Sequence, residues 1–396
     1  MSRRQLFGSL CAMVFLVNLA RVVFAPLVQP VAADFAVTPA ALGVVATAAW
    51  LGSAAPRLPT GYLLTRVPRH TVVAATGLLL VGTSAGTAFA PSLPWLTVGA
   101  FLMGISSGAY FIAANPLVTE LFPSRVGWAL GVHGMASQIA AVGAPLAVSA
   151  VLLVSGWRAT FLLLSALAFV TTVVLVVAAR RTELPDAGAK DRSLLAAARA
   201  QWPIILTGIV IVGSSGFLWN GLFNLYGPYL AAEKGIDEAT GRTLLSVLFA
   251  AGVPAFLLAG ELADRVRNVP LLLAIIIGFA ASVFALTFAE SLLAVVAVSI
   301  VVGVVIHALF PVIDTYMLAS IPDENRASAY ALFSSGMMTA QAFGSGGVGW
   351  LVASGVSYTA AYRGLAAIVG ATGVGLFVLH RFGRLPTGGT PGETPG

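Results

Sequence analysis

Residues 61–66 read Gly61-Tyr-Leu-Leu-Thr-Arg66 and residues 260–265 read Gly260-Glu-Leu-Ala-Asp-Arg265, one pattern written twice at a separation of 199 positions. The same separation pairs Gly104 with Gly303, Asn115 with Asp314 and Pro123 with Pro322. A separation of 202 pairs WALGVHGMAS, from Trp128, with YALFSSGMMT, from Tyr330, and also pairs Asn18 with Asn220 and Pro26 with Pro228. At 205, Trp157-Arg158 meets Tyr362-Arg363. A separation that drifts smoothly from 199 to 205 marks one ancestral unit present in two copies, with small insertions in its loops.

Composition says where such a unit lives. Of 396 residues, 58% are hydrophobic and 9% charged, whereas soluble domains are about a quarter charged and under half apolar. A water-soluble core cannot hide that much apolar surface, so the excess faces lipid. The net charge of +6 does not indicate a nucleic-acid surface, because the basic residues sit in short loops between apolar runs. Cys11, the lone cysteine, reads as a small core hydrophobe, and no disulfide framework is open to the chain. The segment after Arg3-Arg4 is too long for a signal-peptide core and reads as the first span.

A bilayer core about 30 Å thick needs roughly 20 apolar residues per helix. Segments that meet this fall near 6–30, 40–64, 71–89, 93–120, 126–153 and 158–179, and again near 202–231, 238–262, 269–287, 290–320, 325–354 and 360–381. The expected architecture is therefore all-α: a six-helix bundle over 1–179, a hydrophilic linker over 180–201, a second bundle over 202–382 and a disordered tail over 383–396. With both termini inside, fifteen basic residues lie in cytoplasmic loops and four, Arg158, Lys234, Arg242 and Arg363, lie outside. This asymmetry places both termini and the linker in the cytoplasm of a multi-pass cell-membrane protein.

The loop Gly61-Tyr-Leu-Leu-Thr-Arg66-Val-Pro-Arg69, its copy Gly260-Glu-Leu-Ala-Asp264-Arg265-Val-Arg267 and the Gly156-Trp-Arg158 that opens helix 6 resemble motifs of the major facilitator superfamily over nearly the whole chain, residues 5–382. The resemblance implies a monomeric secondary transporter working by alternating access between two rocking halves. It also implies that Gly61, Arg66, Arg69, Gly260, Asp264 and Arg265 form conformational latches. Thr65 stands where the superfamily has an acid, which leaves Asp264 as the latch carboxylate.

Two glycine motifs look chemical and lack the context chemistry needs. Gly104-Ile-Ser-Ser-Gly108 and Gly344-Ser-Gly-Gly-Val-Gly349 fall inside apolar helices, where small residues let backbones approach, and not at a strand-to-helix turn. The four histidines, His70, His133, His307 and His380, show no metal-ligand spacing, so neither an enzyme nor a cofactor is expected.

An ionisable side chain near mid-bilayer costs about 2.5–3.5 kcal/mol even on the gentler scales and needs a reason. Arg21, Arg57 and Asp314 are such residues, and their repeat partners are Phe223, Phe256 and Asn115. The first half carries the positive charge and the second half the negative, so the copies differ where one asymmetric substrate would sit. Arginine forks suit carboxylates and oxyanions, which makes Arg21 and Arg57 candidate anion-binding residues. An acid in a low-dielectric cavity can take up and release a proton as its surroundings change, so Asp314 is the candidate coupling acid. His307, seven residues earlier on the same helix face, could extend a relay. The alternative is an Arg57–Asp314 ion pair that only holds the halves together.

A second polar layer, Asn18, Asn115, His133, Gln138, Asn220, Asn224, Tyr226, Tyr316 and Gln341, faces the same centre by the family resemblance. Arg57-Leu-Pro59-Thr-Gly61 resembles the R-x-P-x-G of the nitrate/nitrite porters, and Gly131-Val-His133-Gly134 with Gln138 their helix-5 signature. That branch has a second arginine in helix 8 where Phe256 stands, and an asparagine where His133 stands. The expected cargo is therefore a small anionic or polar metabolite such as a carboxylate, moved together with protons. The other readings are a proton-driven exporter of lipophilic compounds, whose helix-4 arginine would fall at Ala100, and a non-transporting sensor that kept the fold.

Overall fold

The computed structural model of the chain describes residues 3–64, 66–122, 126–182, 184, 194–263 and 265–386. All regular structure among them is helical, and it forms twelve helices. Helix 1 comprises Arg3–Val22 and Phe24–Phe35, and helix 2 a 3-10 turn at Pro39–Leu42 followed by Gly43–Ala54 and Arg57–Leu63. Helices 3 to 6 are Arg69–Ala88, Leu93–Leu121, Val126–Val154 and Trp157–Arg180. Helix 7 comprises Leu194–Asn224 and Tyr226–Lys234, and helices 8 to 12 are Glu238–Ala263, Asn268–Leu286, Leu292–Ser320, Asp323–Ala353 and Tyr358–Arg381.

Eleven of these helices are long and apolar enough to cross a membrane by length and composition. Helix 11 is not among them, because Ser, Gly and Gln residues crowd its length. Those small and polar residues pack between helix 7 of its own half and helix 2 of the other.

The two copies repeat their contacts as well as their letters. Helix 2 packs on helix 4 as helix 8 packs on helix 10, helix 3 on helix 6 as helix 9 on helix 12, and helix 1 on helix 5 as helix 7 on helix 11. A Cβ added to Gly104 would lie 2.1 Å from the Ala49 carbonyl oxygen, and one on Gly303 would lie 2.1 Å from that of Leu248. Ala49 and Leu248 are themselves 199 positions apart. The Gly104–Gly108 motif is thus a helix crossing, and the hydroxyl of Ser106 inside it donates to the Thr76 carbonyl at 2.7 Å.

Prolines set the breaks. A proline in a helix removes one N–H and clashes with the carbonyl four residues earlier. Pro26 and Pro228 act on Val22 and Asn224, and the first segments of helices 1 and 7 end at those two residues. Pro59 acts on Ala55, just where helix 2 is interrupted between Ala54 and Arg57. Helix 8 instead starts cleanly behind Asp237. Its carboxylate accepts from the N–H groups of Ala239 and Thr240 at 3.0 Å and from the Thr240 hydroxyl at 2.7 Å, and these bonds hold it below the usual carboxylate range.

The halves close on the face away from the chain ends and linker. There the Gly346 N–H donates to the Thr47 hydroxyl at 2.8 Å, and Arg242 and Ser246 of helix 8 donate to the Ser149 hydroxyl and the Val142 carbonyl of helix 5, each at 3.0 Å. Gly43 sits so tightly against helix 11 that an added Cβ would lie 2.3 Å from the Ser345 carbonyl oxygen. Gly43→Val is expected to pry this seam apart at a cost of about 1–3 kcal/mol. A cysteine introduced at Thr47 should then react faster with an impermeant maleimide in the Gly43→Val background; equal rates would show that the seam does not gate access.

Two expected boundaries move. Helix 7 begins at Leu194, inside the stretch read as linker, because the Leu-Leu-Ala-Ala-Ala run there forms helix readily despite the nearby charges. The tail does not leave the fold at 383: Leu385 is buried, and the Tyr316 hydroxyl donates to the Pro386 carbonyl at 2.5 Å. Residues 387–396 lie outside the described residues.

Candidate functional site

The prolines that break helices 1 and 2 place two arginines side by side. Arg21 lies in the last turn before the helix 1 break, and Arg57 opens the helix 2 segment after its own. Both reach Ser53. Arg21 donates from Nη1 to the Ser53 hydroxyl at 3.4 Å, and Arg57 from Nε to the Ser53 carbonyl at 3.3 Å. Arg21 also donates to Asn18 Oδ1 at 2.5 Å, and Asn18 in turn donates to the Ser137 carbonyl of helix 5 at 2.7 Å.

Arg57 crosses to the other half, where its Nη1 donates to the Ser334 hydroxyl of helix 11 at 2.6 Å. One turn earlier on the same helix, the Tyr330 hydroxyl donates to Asp314 Oδ1 at 2.8 Å. Arg57 and Asp314 thus bracket one turn of helix 11. No ion pair within 4.0 Å joins them, or joins either arginine to any acid among the described residues. The simple Arg57–Asp314 pair is not formed here.

Aromatic rings flank Arg21. The Arg21 guanidinium carbon lies 4.4 Å from the centroid of the Trp50 ring and 5.6 Å from that of Phe111. Trp50 meets Phe223 of the second half edge to face at 6.0 Å. Phe223, the repeat partner of Arg21, continues into Trp219 and Phe249. Buried Nε of Arg21 and buried Nε1 of Trp50 have no hydrogen-bond acceptor.

The remaining candidates are distributed around this centre. Asn115 is exposed and Gln138 partly so, and no hydrogen bond of either is found among the described residues. Asn220 donates to Gln341 Oε1 at 3.3 Å and Asn224 to the Ser345 hydroxyl at 3.0 Å, a polar ladder that fastens helix 7 to helix 11. His133 pairs with the Tyr110 hydroxyl at 3.0 Å, and that hydroxyl donates to the Leu10 carbonyl at 2.6 Å. Tyr226 is bonded to Ser299 at 2.5 Å, and Tyr316 to the tail.

His307 and Asp314 are not brought together. The His307 Nδ1 bonds the Gly303 carbonyl at 2.7 Å, and the ring lies edge-on to Trp219 and Phe249. It fills the space over Gly252, whereas its repeat partner Gly108 leaves helices 2 and 4 in backbone contact. Among the latch residues, Arg69 pairs with Glu120 at 2.7 Å, Arg66 bonds Tyr62 at 2.5 Å, and Arg265 lies 3.7 Å from Glu261, all within their own halves. Gly61 has open space around it, Gly260 lies in helix 8, and Asp264 is outside the described residues.

Sequence reasoning missed Trp50, Ser53, Phe111, Tyr330 and Ser334. The i, i+4 spacings Ser53–Arg57 and Tyr330–Ser334 were the available signal, since such pairs share a helix face. Pro26→Ala tests how the break positions Arg21. It should restore a backbone bond and leave the melting temperature unchanged or higher, while weakening several-fold the binding of any anion that the arginines hold. Unaltered binding would separate the break from the site.

Known proteins bear on the family. A 93-residue stretch is 37% identical to the niacin transporter NiaP of Acinetobacter baylyi, covering 24% of this chain and 21% of that one. A longer stretch of 285 residues is 25% identical to the probable sulfoacetate transporter SauU of Cupriavidus necator, covering 67% and 66% of the two chains. The chain thus spans about a fifth of the first relative's length and just under two thirds of the second's. Its fold matches a bacterial homolog of the human lysosomal transporter Spinster with a TM-score of 0.76 at 18% identity, over 97% of this chain and 96% of the other. It also matches a POT family transporter in complex with 5-aminolevulinic acid with a TM-score of 0.79 at 11% identity, over 95% and 96%. The family model of the Major Facilitator Superfamily matches residues 10–226 and 208–396. With both halves covered and the twelve helices arranged as two repeats, the chain belongs to the major facilitator superfamily of small-solute transporters.

Proposed function

We propose that this chain carries small organic anions across the cell membrane by alternating access, coupled to protons through Asp314. The observation that carries the reading is the convergence of Arg21 and Arg57 on Ser53 with no acid in ion-pair range among the described residues. Two half-buried guanidiniums against one carboxylate leave a net positive site, and a bound anion would offset the cost of holding them partly out of water. Niacin and sulfoacetate, the compounds in the relatives' names, are both small acids. In this reading the chain acts as a monomer, the loop charges set both termini in the cytoplasm, and the latch residues favour one state over the other.

The test is uptake into proteoliposomes of a panel of labelled anions, with and without an imposed pH gradient. Accumulation of at least one small carboxylate, enhanced by an inward proton gradient, is expected. Uptake confined to neutral or cationic lipophilic compounds would replace this reading with that of an exporter.

A further inference from the structure

The charges of the site say that an anion binds; its walls say which kind. The Arg21 guanidinium lies against the rings of Trp50, from helix 2, and Phe111, from helix 4. Phe223 closes the set from the other half through its edge-to-face contact with Trp50. An aliphatic anion meeting this wall would gain from the guanidiniums alone. A planar ring would gain from offset or edge contacts with the aromatic side chains as well, interactions that go beyond area burial.

Two more observations narrow the class. With Asp314 ionised, Arg21, Arg57 and Asp314 sum to one positive charge, and a monoanion that enters with one proton leaves that sum unchanged, whereas a dianion does not. Arg21 Nε and Trp50 Nε1 are buried donors without acceptors, although Trp50 is only 8% exposed and lies against Arg21. Buried donors are almost always satisfied, so a pair of orphans at one spot marks where acceptors of a ligand belong. A carboxylate on a ring, with a second acceptor such as a pyridine nitrogen or a phenol oxygen, supplies both.

We propose that the site between the halves selects planar aromatic or heteroaromatic monocarboxylates, with Arg21 and Arg57 holding the carboxylate and the Trp50, Phe111 and Phe223 rings selecting the plane. The proposal rests on the anion reading and adds the shape requirement. Trp50 is its specificity-determining residue, because it supplies both a ring face and an unmet donor.

The experiment compares benzoate with cyclohexanecarboxylate, which has the same charge and a similar size but no aromatic ring, by calorimetric titration of the purified full chain. Benzoate is expected to bind about tenfold tighter, and Trp50→Leu to lower that ratio to about twofold or less. Trp50→Phe should restore part of the preference. If both acids bind the wild-type chain equally, the aromatic selection is wrong and the anion reading stands. If sulfoacetate binds tighter than benzoate, the monoanion assignment is wrong as well. If no carboxylate binds, the anion reading fails and takes this inference with it. The wild-type comparison needs no variant to fold.

Discussion

Replacing Arg57 with alanine is expected to lower affinity for a small carboxylate by about ten- to a hundredfold, the range of one charged hydrogen-bonding partner lost from a buried site. Among the described residues Arg57 has no acid within 4.0 Å to leave unpaired, so truncation removes a charge and does not orphan an ion-paired one. The loss of its bond to Ser334 also weakens one link between the halves. Arg57→Lys keeps the charge and removes the fork, and should fall between wild type and alanine. Uptake rates at sub-saturating anion, set against melting temperature, separate binding from folding. An alanine variant with wild-type uptake would remove Arg57 from the site.

Asp314→Asn is expected to abolish gradient-driven accumulation while exchange of labelled for unlabelled anion continues. Asparagine can still accept the hydrogen bond from Tyr330, so the helix 10 to helix 11 contact survives. With one proton per anion, a pH difference of one unit supports about tenfold accumulation, and the variant should reach none. Accumulation equal to wild type would show that Asp314 is not the coupling acid. If an Arg57→Asp, Asp314→Arg double variant recovers activity lost in each single variant, the two charges act as a structural pair.

The fold was legible because a span leaves a long apolar run and a repeat leaves a constant offset. Helix 5, expected at 126–153, occupies Val126–Val154, and helix 8, expected at 238–262, occupies Glu238–Ala263. Helix 7 was misjudged at its start, since charges near Leu194 lower hydropathy without preventing helix. Hydropathy also underrates helix 11, whose seam residues Ser345, Gly346 and Gly349 pack on other helices and not on lipid. Arg21, Arg57 and Asp314 stood out because mid-span charges are costly. The rings around them did not, because an aromatic residue in an apolar helix looks the same whether it faces lipid, core or ligand. Trp50 shows the limit: only a three-dimensional neighbour, the Arg21 guanidinium, marks it. The seven-residue helical spacing put His307 and Asp314 on one face, but the packing of His307 against Trp219 and Phe249 separates their surroundings.

An anion is expected to bind between Arg21 and Arg57. Calorimetric titration of nicotinate into the purified wild-type chain and into an Arg21→Gln, Arg57→Gln double variant tests it most directly. Saturable binding to the wild type and a loss of at least a hundredfold in a double variant that melts normally is the predicted result. Equal binding by the two proteins would contradict it.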